Sequence, residues 1–325
     1  MNIYFLTLFF ILVSLLVSFH KIIAIKLSLV DRPNSKTSYH KNVTPLTGGL
    51  FLFLFFFLLN LSEIYYLDNI SVSGIQLLFF STFIINLLDD LYDLKAYIRI
   101  VLLFFTTYIL LTFFLDFSIT KVYFSITDSS LSFSNLQIII IYTFSIVFIQ
   151  IIFNLTDGIN CLLKFYSLIL IIIAAQVELG LNDKNFLLLL TIILIGYLNY
   201  KNQLFLGSSG NSLLALYFAL MIIEKNTENF QNFSFEFVFL MFGFLVIDTL
   251  KLFLFRLYQG QNIFNKDLNH LHHKLYFKFG LNLSIIIYCV LSLLPFLLAY
   301  NGFINDQYAV LILFFNYLFI QLILK

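Results

Sequence analysis

Three aspartates follow an apolar run in the segment IINLLDDLYDL, with a spacing suited to binding cations. Asp89, Asp90 and Asp93 belong to a chain with only 11% charged residues, and each costs roughly 2.5–3.5 kcal/mol at a bilayer centre. On a continuing helix, Asp89 and Asp93 share a face and repel each other. A divalent cation, or a cationic partner such as Lys95 or Arg99, offsets this repulsion. Carboxylate oxygens favour Mg²⁺, which often also binds substrate phosphate; a solvated helix end is the simpler alternative.

A basic segment nearer the N-terminus, VDRPNSKTSYHKNVTPLTGGL, spans residues 30–50. Its Asp-Arg-Pro-Asn sequence predicts a turn, because proline fixes φ and asparagine bonds its own backbone. Lys36, His40 and Lys41 are candidate phosphate ligands. A loop whose positive charge only fixes the membrane topology is the alternative. A Gly-Gly pair then precedes the next apolar run.

Two asparagines and an aspartate recur at every third position of the segment FNLTDGINCL. Asn154, Asp157 and Asn160 are therefore candidates to line one side of a polar pocket at the end of an apolar run. An N-capping role for Asp157 at the next helix is the alternative explanation for half of this pattern.

Glycines and serines are concentrated in the segment FLGSSGNSLLA, residues 205–215, directly before another apolar run. Backbone N–H groups at the start of a helix bind anions, so this segment is a candidate phosphate site. The alternative is a simple turn with a serine or asparagine cap. Considered alone, the sequence of this segment favours that alternative.

Three of the five histidines lie within four positions of the segment RLYQGQNIFNKDLNHLHHKLYFKFG, residues 256–280. His270 and His273 share a helical face and His272 adjoins them, so the three are candidates to bind a metal or a diphosphate. Phosphate binding is the favoured interpretation, because no cysteine or repeated carboxylate spacing accompanies them as in zinc sites.

An aspartate lies towards the end of the apolar run that precedes the histidines. An acidic side chain within a membrane span is a functional candidate by default, which makes Asp248 such a candidate. An ion pair with Lys251, three residues further along the same helical face, is the alternative.

Long apolar runs separate these polar segments and must hold them in place. The chain has 325 residues, of which 61% are hydrophobic, more than a soluble core of this size requires. The composition predicts an all-α polytopic membrane protein with a single domain over residues 1–325 and no nucleic acid among its partners. Its two cysteines give no disulfide framework. Eleven spans are predicted, at about residues 3–19, 46–62, 74–88, 100–115, 135–153, 165–177, 185–200, 211–223, 237–254, 281–299 and 307–324.

The distribution of charge along these spans predicts their orientation. With the N-terminus outside and the C-terminus inside, all 18 lysines and arginines lie inside except Lys121, Lys184 and Lys225, as the positive-inside rule requires. The histidines and the aspartate segments also lie inside, which predicts a site on the cytoplasmic face. Residues 118–133, in an outer loop, alternate around a TDSS turn and predict a β-hairpin, with a disordered loop as the alternative.

Taken in order, five segments resemble the motifs of one enzyme family. They are DRPN…H…TP..GG (31–49), DDLYDL (89–94), NLTDGIN (154–160), FLGSSGNS (205–212) and NKDLNHLHHKL (265–275). The set resembles the polyprenyl-phosphate N-acetylhexosamine-1-phosphate transferases of glycosyl transferase family 4. Within that family it is most similar to the undecaprenyl-phosphate GlcNAc-1-phosphate transferases that initiate O-antigen synthesis.

The resemblance implies a phosphoglycosyltransferase of the inner (cytoplasmic) membrane, with its active site on the cytoplasmic face. Such an enzyme transfers N-acetylhexosamine-1-phosphate from a UDP-sugar to undecaprenyl phosphate and releases UMP, as the initiating step of O-antigen or another cell-envelope polysaccharide. The implied cofactor is Mg²⁺, with Mn²⁺ as a substitute. The implied partners are UDP-N-acetylhexosamine, undecaprenyl phosphate and membrane lipid; the sequence leaves open whether two copies form a homodimer.

The resemblance also implies roles for individual residues. Asp89 is expected to deprotonate the lipid phosphate, and Asp90 to assist it as a second catalytic residue. The expected substrate-binding residues are Asn154, Asp157, Asn160, His40, Lys36, His270, His272 and His273. The expected metal ligands are Asp90, Asp157 and Ser208.

The sequence departs from the family pattern at positions that matter for the metal. Ser208 stands where the family has a magnesium-binding aspartate, and Asn160 and Cys161 stand where it usually has aspartate and glycine. A neutral hydroxyl is a much poorer Mg²⁺ ligand than a carboxylate. Two alternatives to the active enzyme therefore stay open: a non-catalytic paralogue that binds lipid phosphate, and a transporter, against which the lack of an internal repeat argues.

Overall fold

The structure, a computed structural model, describes residues 3–33, 42–61, 72–114, 121–177, 183–228, 234–263 and 268–324. These residues form eleven helices and two pairs of short strands. The helices are α1 (Ile3–Leu27), α2 (Gly48–Leu61), α3 (Val72–Tyr92), α4 (Ala96–Phe114), α5 (Asn135–Thr156), α6 (Leu162–Val177), α7 (Asp183–Tyr200), α8 (Gly207–Glu228), α9 (Phe235–Tyr258), α10 (Leu271–Tyr300) and α11 (Asp306–Ile323). The strands are β1 (Val30–Asp31), β2 (Thr44–Pro45), β3 (Lys121–Phe124) and β4 (Ser129–Ser132).

Each helix overlaps one of the spans predicted from the sequence, which confirms the all-α polytopic architecture. Seven of the described helices are long and apolar enough to cross a membrane, namely α1, α3, α4, α5, α9, α10 and α11. Helices α2, α6 and α7 are shorter apolar helices. The number of crossings and the orientation of the chain stay predictions.

Helix α3 ends earlier than a continuing helix through all three aspartates would require. Its last residue is Tyr92, and Asp93 has a left-handed φ of 48°. The Asp93 N–H donates to the Asp89 carbonyl over 2.8 Å, which closes the last turn. The continuing helix on which Asp89 and Asp93 share a face therefore does not form, because the chain turns at Asp93.

Helix α10 is broken at Gly280, which has a φ of +74° and a ψ of 179°. Residues 271–279 form a separate helical segment that carries two of the three clustered histidines, and the apolar part follows the break. The predicted span, residues 281–299, begins directly after this glycine. Glycine is suited to this position, because residues with a Cβ disfavour a positive φ such as that of Gly280.

The predicted hairpin forms between β3 and β4, which confirms that interpretation of the alternating segment. The strands are antiparallel, with Lys121 paired to Ser132 and Phe124 to Ser129. In the turn between them, the Ser125 N–H donates to a carboxylate oxygen of Glu236 over 2.9 Å.

The chain divides into two compact units. The first comprises Met1–Phe117 and Ile139–Leu220, and the second comprises Ser118–Ile138 and Met221–Lys325. The first unit contains the aspartate, asparagine and glycine–serine segments. The second contains the hairpin and the histidine segment. A single domain over the whole chain stays a prediction.

Helix α2 lies in the core of the first unit. Its sequence is GGLFLFLFFFLLNL, and a helix that is apolar on nearly all sides is stable either in a protein core or in lipid. Phe51, Phe55 and Phe56 are almost completely buried. The Phe56 ring stacks on Phe79 of α3 with 4.3 Å between ring centroids, a geometry that adds about 0.5–1.5 kcal/mol.

The start of α2 contacts the start of α8 because glycines stand at the contact. The Gly48 N–H donates to the Phe205 carbonyl over 3.0 Å, and the Phe205 N–H donates to the Pro45 carbonyl over 2.8 Å. A Cβ on Gly49 would lie 2.1 Å from Ser209 Oγ, closer than non-bonded atoms approach. The Gly-Gly pair therefore holds the end of the basic segment against the glycine–serine segment.

Gly49→Ala is expected to separate these two helix ends, because the added methyl group overlaps the Ser209 hydroxyl. Overpacking of this kind costs about 1–3 kcal/mol, so the melting temperature of the full-length protein in detergent should fall. Gly196→Ala in α7 is the matched control, since its Cβ would meet only the Lys164 Cβ, at 3.7 Å. Equal melting temperatures for the two variants would contradict the close contact.

Candidate active site

The carboxylate of Asp90 caps the N-terminus of α8. Its Oδ1 accepts from the Ser208 N–H over 2.7 Å, and its Oδ2 accepts from the Ser209 N–H over 3.0 Å and the Ser209 hydroxyl over 2.7 Å. The first N–H groups of a helix have no partner within it and form the positive end of its dipole. The segment predicted to bind an anion therefore binds one, and the anion is an aspartate of the same chain.

Gly207 leaves room for this carboxylate. Its φ of +74° lies in the left-handed region that favours glycine. A Cβ at this position would lie 2.7 Å from Asp90 Oδ2. Both the backbone conformation and the packing therefore exclude a larger residue at the first position of α8.

The neighbouring carboxylate, Asp89, forms an ion pair with Arg99 in the first turn of α4. The two side chains are only 10% and 14% exposed, so water screens the pair weakly. Nη1 of Arg99 also lies 3.3 Å from the Ser208 hydroxyl. Arg99 is thus the cationic partner of the aspartate segment, as one of the two sequence-based alternatives predicted.

Asn154, at the end of α5, connects Arg99 to α8. In the orientation that satisfies its neighbours, the amide oxygen accepts from both terminal nitrogens of Arg99 over 3.1 Å, and the amide nitrogen donates to Ser208 Oγ over 3.3 Å. The side-chain amides of Asn154 and Asn211 lie 3.3 Å apart. The second, third and fourth polar segments therefore meet at this asparagine.

Asp157 forms an ion pair with Lys164, a residue that the sequence analysis did not single out. The Lys164 side chain is only 3% exposed and that of Asp157 10%. Lys164 lies in the first turn of α6, where the positive end of the helix dipole disfavours a cation. The capping alternative for Asp157 is wrong, because its carboxylate accepts from an ammonium group and not from a backbone N–H at the helix start.

Asn160 and Cys161 complete the turn between α5 and α6. Asn160 Nδ2 donates to Asn202 Oδ1 over 2.6 Å, and the Cys161 N–H donates to Asn199 Oδ1 over 2.7 Å. Cys161 has a left-handed φ of 65°, so the backbone has a glycine-like conformation where the resemblance predicts glycine. Burial raises the pKa of the Cys161 thiol, which therefore stays protonated at neutral pH.

The structure brings most of the predicted residues of the first unit together. Direct contacts join Asp89, Asp90, Asn154 and Ser208 into one network through Arg99 and Ser209. Asp157 lies about one helical turn from Asn154, because its N–H donates to the Phe153 carbonyl in continuation of α5. Lys36 and His40 lie outside the described residues, so their role stays a prediction.

The contacts of the expected metal ligands do not fit a Mg²⁺ site. Asp90 already accepts three hydrogen bonds, of about four that a carboxylate accepts. Asp157 is paired with the ammonium of Lys164, and Ser208 offers only a hydroxyl. Mg²⁺ requires oxygen ligands in nearly octahedral geometry and usually takes one or two carboxylates together with water and substrate phosphate. Neither carboxylate is free to take that role in this arrangement.

In the second unit, Asp248 of α9 holds the start of the histidine helix. The Leu271 N–H donates to both carboxylate oxygens over 3.1–3.2 Å, and the Tyr317 hydroxyl donates to Oδ1 over 2.9 Å. His270 Nδ1 lies 2.8 Å from Oδ2. Leu271 is the first residue of α10. Asp248 therefore caps this helix and fixes the orientation of the His270 ring.

The three histidines form a buried cluster next to this cap. His270, His272 and His273 are 5%, 1% and 6% exposed, and the ring centroids of His272 and His273 lie 4.2 Å apart. Nε2 of His272 is buried without a hydrogen-bond partner among the described residues. One ligand atom each from Asp248, His270 and His272 lies within 4.8 Å of the others. Asp248 already accepts from Leu271 and Tyr317, and phosphate binding by the three histidines stays a prediction.

Three residues that complete these contacts were not found by the sequence analysis. Lys164 had a signal, since it is the only base in the apolar helix LLKFYSLILIIIAAQV. Ser209 also had a signal, because it lies next to Ser208 in the glycine–serine segment. Tyr317 had none, because it is one of 19 tyrosines and lies in an ordinary apolar run.

The fold and the site define an all-α integral membrane protein with a network of ion pairs and capped helix ends. Residues 72–226 match the model of glycosyl transferase family 4. The chain is 24% identical over 314 residues to the probable undecaprenyl-phosphate N-acetylglucosaminyl 1-phosphate transferase of Bacillus subtilis (strain 168), covering 93% of this chain and 86% of that protein. It is 26% identical over 316 residues to the undecaprenyl-phosphate alpha-N-acetylglucosaminyl 1-phosphate transferase of Thermotoga maritima, covering 94% of each. Over residues 72–226 the chain is therefore similar to glycosyl transferase family 4.

Gly207→Ala tests the cap that Asp90 provides. Gly207 and Gly260 both have a left-handed φ, of 74° and 65°, so alanine costs about 1–2 kcal/mol at either position. Only the Cβ at position 207 overlaps Asp90, whereas nothing lies within 4 Å of the Cβ at position 260. Gly207→Ala should therefore lower stability by a further 1–3 kcal/mol or so, measured as the melting temperature in detergent. Equal losses in Gly207→Ala and the control Gly260→Ala would contradict the cap.

Tyr317→Phe tests the support of the histidine helix. The substitution removes a hydrogen bond to a buried carboxylate, and hydrogen bonds to charged groups contribute about 1.5–3 kcal/mol. Tyr308→Phe, on the same helix, is the matched control because Tyr308 is 58% exposed and such changes stay within about 0.5 kcal/mol. The melting temperature should fall for Tyr317→Phe alone; an unchanged value would show that the hydroxyl does not support Asp248.

Proposed function

We propose that the chain transfers N-acetylhexosamine-1-phosphate from a UDP-sugar to undecaprenyl phosphate and releases UMP. The reaction takes place at the cytoplasmic face of the inner membrane and begins an O-antigen or another cell-envelope polysaccharide. The match of residues 72–226 to glycosyl transferase family 4 supports the class of reaction. The activities named for the two relatives support undecaprenyl phosphate as acceptor and an N-acetylglucosamine 1-phosphate as the transferred group.

The observation that carries the proposal is the network of charged and amide groups in the first unit. Two anionic substrates must meet in this reaction, so positive charges and fixed donors have to offset their repulsion. Arg99 offers a planar guanidinium, which is suited to phosphate oxygens, and Lys164 offers a second positive charge. Asn154 contacts Arg99 and supplies an amide that can bind polar groups of a nucleotide-sugar.

The proposed chemistry is an in-line displacement at phosphorus. An oxygen of the lipid phosphate attacks the phosphorus atom that carries the sugar, and a new P–O bond forms. The P–O bond to the uridylyl phosphate breaks, and UMP leaves with the bonding electron pair. No covalent enzyme intermediate is needed, so the protein contributes alignment and charge neutralisation.

The role of Asp89 follows from the charge of the acceptor. The second pKa of a phosphate monoester is about 6, so the lipid phosphate is largely dianionic at neutral pH and needs little help from a base. Asp89 accepts whatever proton remains and holds Arg99 until a substrate phosphate takes its place. Groups proposed to bind the nucleotide-sugar and its diphosphate are Asn154, Asp157, Asn160, His270, His272 and His273, together with Lys36 and His40.

Purified full-length protein should release UMP when given undecaprenyl phosphate and one member of a panel of UDP-N-acetylhexosamines. Asp89→Asn should lower the rate by about 10²-fold or more, because Arg99 loses the carboxylate that positions it for a substrate phosphate. Asp128→Asn is the matched control, because Asp128 lies in the exposed hairpin turn and bonds only Tyr123 among the described residues.

A non-catalytic paralogue is the second candidate, and Ser208 is the observation that favours it. Such a protein would bind undecaprenyl phosphate but release no UMP with any UDP-sugar of the panel. Equal UMP release by Asp89→Asn and the native protein would also reject the proposed site, while leaving the transferase activity itself in place.

A further inference from the structure

We propose that Lys164 and Arg99 neutralise the substrate phosphates in place of a divalent ion held by the protein. This inference rests on the proposed function and specifies how that site offsets the charge of its substrates. It assigns Lys164 as a catalytic residue that contacts a phosphate group. It also explains why Ser208 stands at a position where the family has a metal-binding carboxylate.

The first argument is the occupancy of the carboxylate oxygens. Asp90 is used in capping α8, and Gly207 packs against it so closely that a Cβ would lie 2.7 Å from its Oδ2. Asp89 is paired with Arg99 and Asp157 with Lys164. A divalent ion bound by these groups would have to displace a buried cation or the N–H groups at the start of a helix. Displacing either one leaves a buried polar group unpaired, which is strongly destabilising.

The second argument is the sum of the charges. Asp89, Asp90 and Asp157 contribute three negative charges, and Arg99 and Lys164 contribute two positive ones. The formal charge of these five residues is therefore −1. Aspartates at positions 208 and 160, as in the family pattern, would make that charge −3. The two neutral residues therefore change the site by +2, which is the charge of one divalent cation. The network needs no such ion to reach a charge close to neutral.

The third argument is the environment of Lys164. A side chain that is 3% exposed loses most of its hydration, and an ammonium group in the first turn of α6 also meets the positive end of the helix dipole. The ion pair with Asp157 offsets this cost. Two uncharged residues in place of Lys164 and Asp157 would avoid the cost altogether. A buried ammonium group that contributes so little to the stability of the fold is typical of a residue whose charge serves a function.

The fourth argument is that the partners of the two cations lie at the same end of α5. Asn154 contacts Arg99, and Asp157, which lies one helical turn further along, contacts Lys164. The carboxylate and amide that hold the two cations therefore project from adjacent turns at the end of α5.

Binding of Mn²⁺ to the purified full-length protein, without nucleotide, tests the inference independently of activity. The electron paramagnetic resonance signal of free Mn²⁺ should be unchanged by the native protein. It should decrease by about one ion per chain with the double variant Ser208→Asp, Asn160→Asp, which restores two carboxylates. An aspartate in the first turn of α8 also suits the helix dipole, so this variant is expected to fold. One Mn²⁺ bound per native chain, or none bound by the double variant, would overturn the inference.

UMP release provides the second test. The rate with undecaprenyl phosphate and a UDP-sugar should be within about twofold in EDTA and in Mg²⁺, since no ion is required. Lys164→Arg keeps the charge and should retain activity within tenfold or so, whereas Lys164→Gln should lose about 100-fold or more. The double variant Lys164→Gln, Asp157→Asn leaves no unpaired carboxylate and should fold and lose activity equally.

The outcomes separate this inference from the proposed function. Loss of UMP release in EDTA with recovery in Mg²⁺ would overturn the inference and leave the transferase function in place. Full activity of both Lys164→Gln variants would also overturn it. No UMP under any condition would reject the proposed function, and the Mn²⁺ measurement alone would then decide whether the site holds a divalent ion.

Discussion

Capping of α8 by Asp90 is the interaction on which the geometry of the first unit's site depends. The start of a helix within an apolar protein exposes N–H groups that water does not reach, and each costs about 1–3 kcal/mol when it is left unpaired. The Asp90 carboxylate accepts from two of them and thereby fixes the end of α3 against the start of α8. Asp89 then points about 100° away around α3, where Arg99 meets it. The direction of the Asp89 carboxylate therefore follows from the hydrogen bonds that fix Asp90.

Several acids in this chain of low charge are paired with a basic side chain. Asp89 and Asp157 each lie within an ion pair, and in the second unit Asp248 contacts His270. Buried pairs of this kind seldom stabilise a protein more than apolar residues of the same volume would, because removing two charges from water costs about as much as their attraction returns. Their presence is therefore better explained by the chemistry of phosphate than by the stability of the fold.

The sequence was sufficient to predict the helices and insufficient to predict their partners. Apolar runs reveal buried helices directly, so all eleven predicted spans overlap helices, and the turn residues around Asp128 predicted the hairpin. Periodicity states which residues share a face but not which helix packs against it. The sequence did not predict the ion pair between Asp157 and Lys164, although the two residues are only seven positions apart. It also did not predict the contact between Asp90 and the start of α8, which are 118 residues apart. Helix α3 ends early because Asp93 has a left-handed φ. The sequence of this segment does not determine that conformation.

In both units, a polar motif combines a residue held by several contacts with a neighbour that has fewer. Asp90 accepts from the start of α8, while the adjacent Asp89 holds only a cation that a phosphate is able to displace. His270 is fixed by Asp248, while Nε2 of the nearby His272 has no partner among the described residues. A ligand-binding group must be oriented before the ligand arrives, and in an apolar protein an adjacent residue in the same backbone segment can provide that orientation. Neighbouring polar residues of the same type in these two segments therefore differ in their contacts and are not equivalent groups.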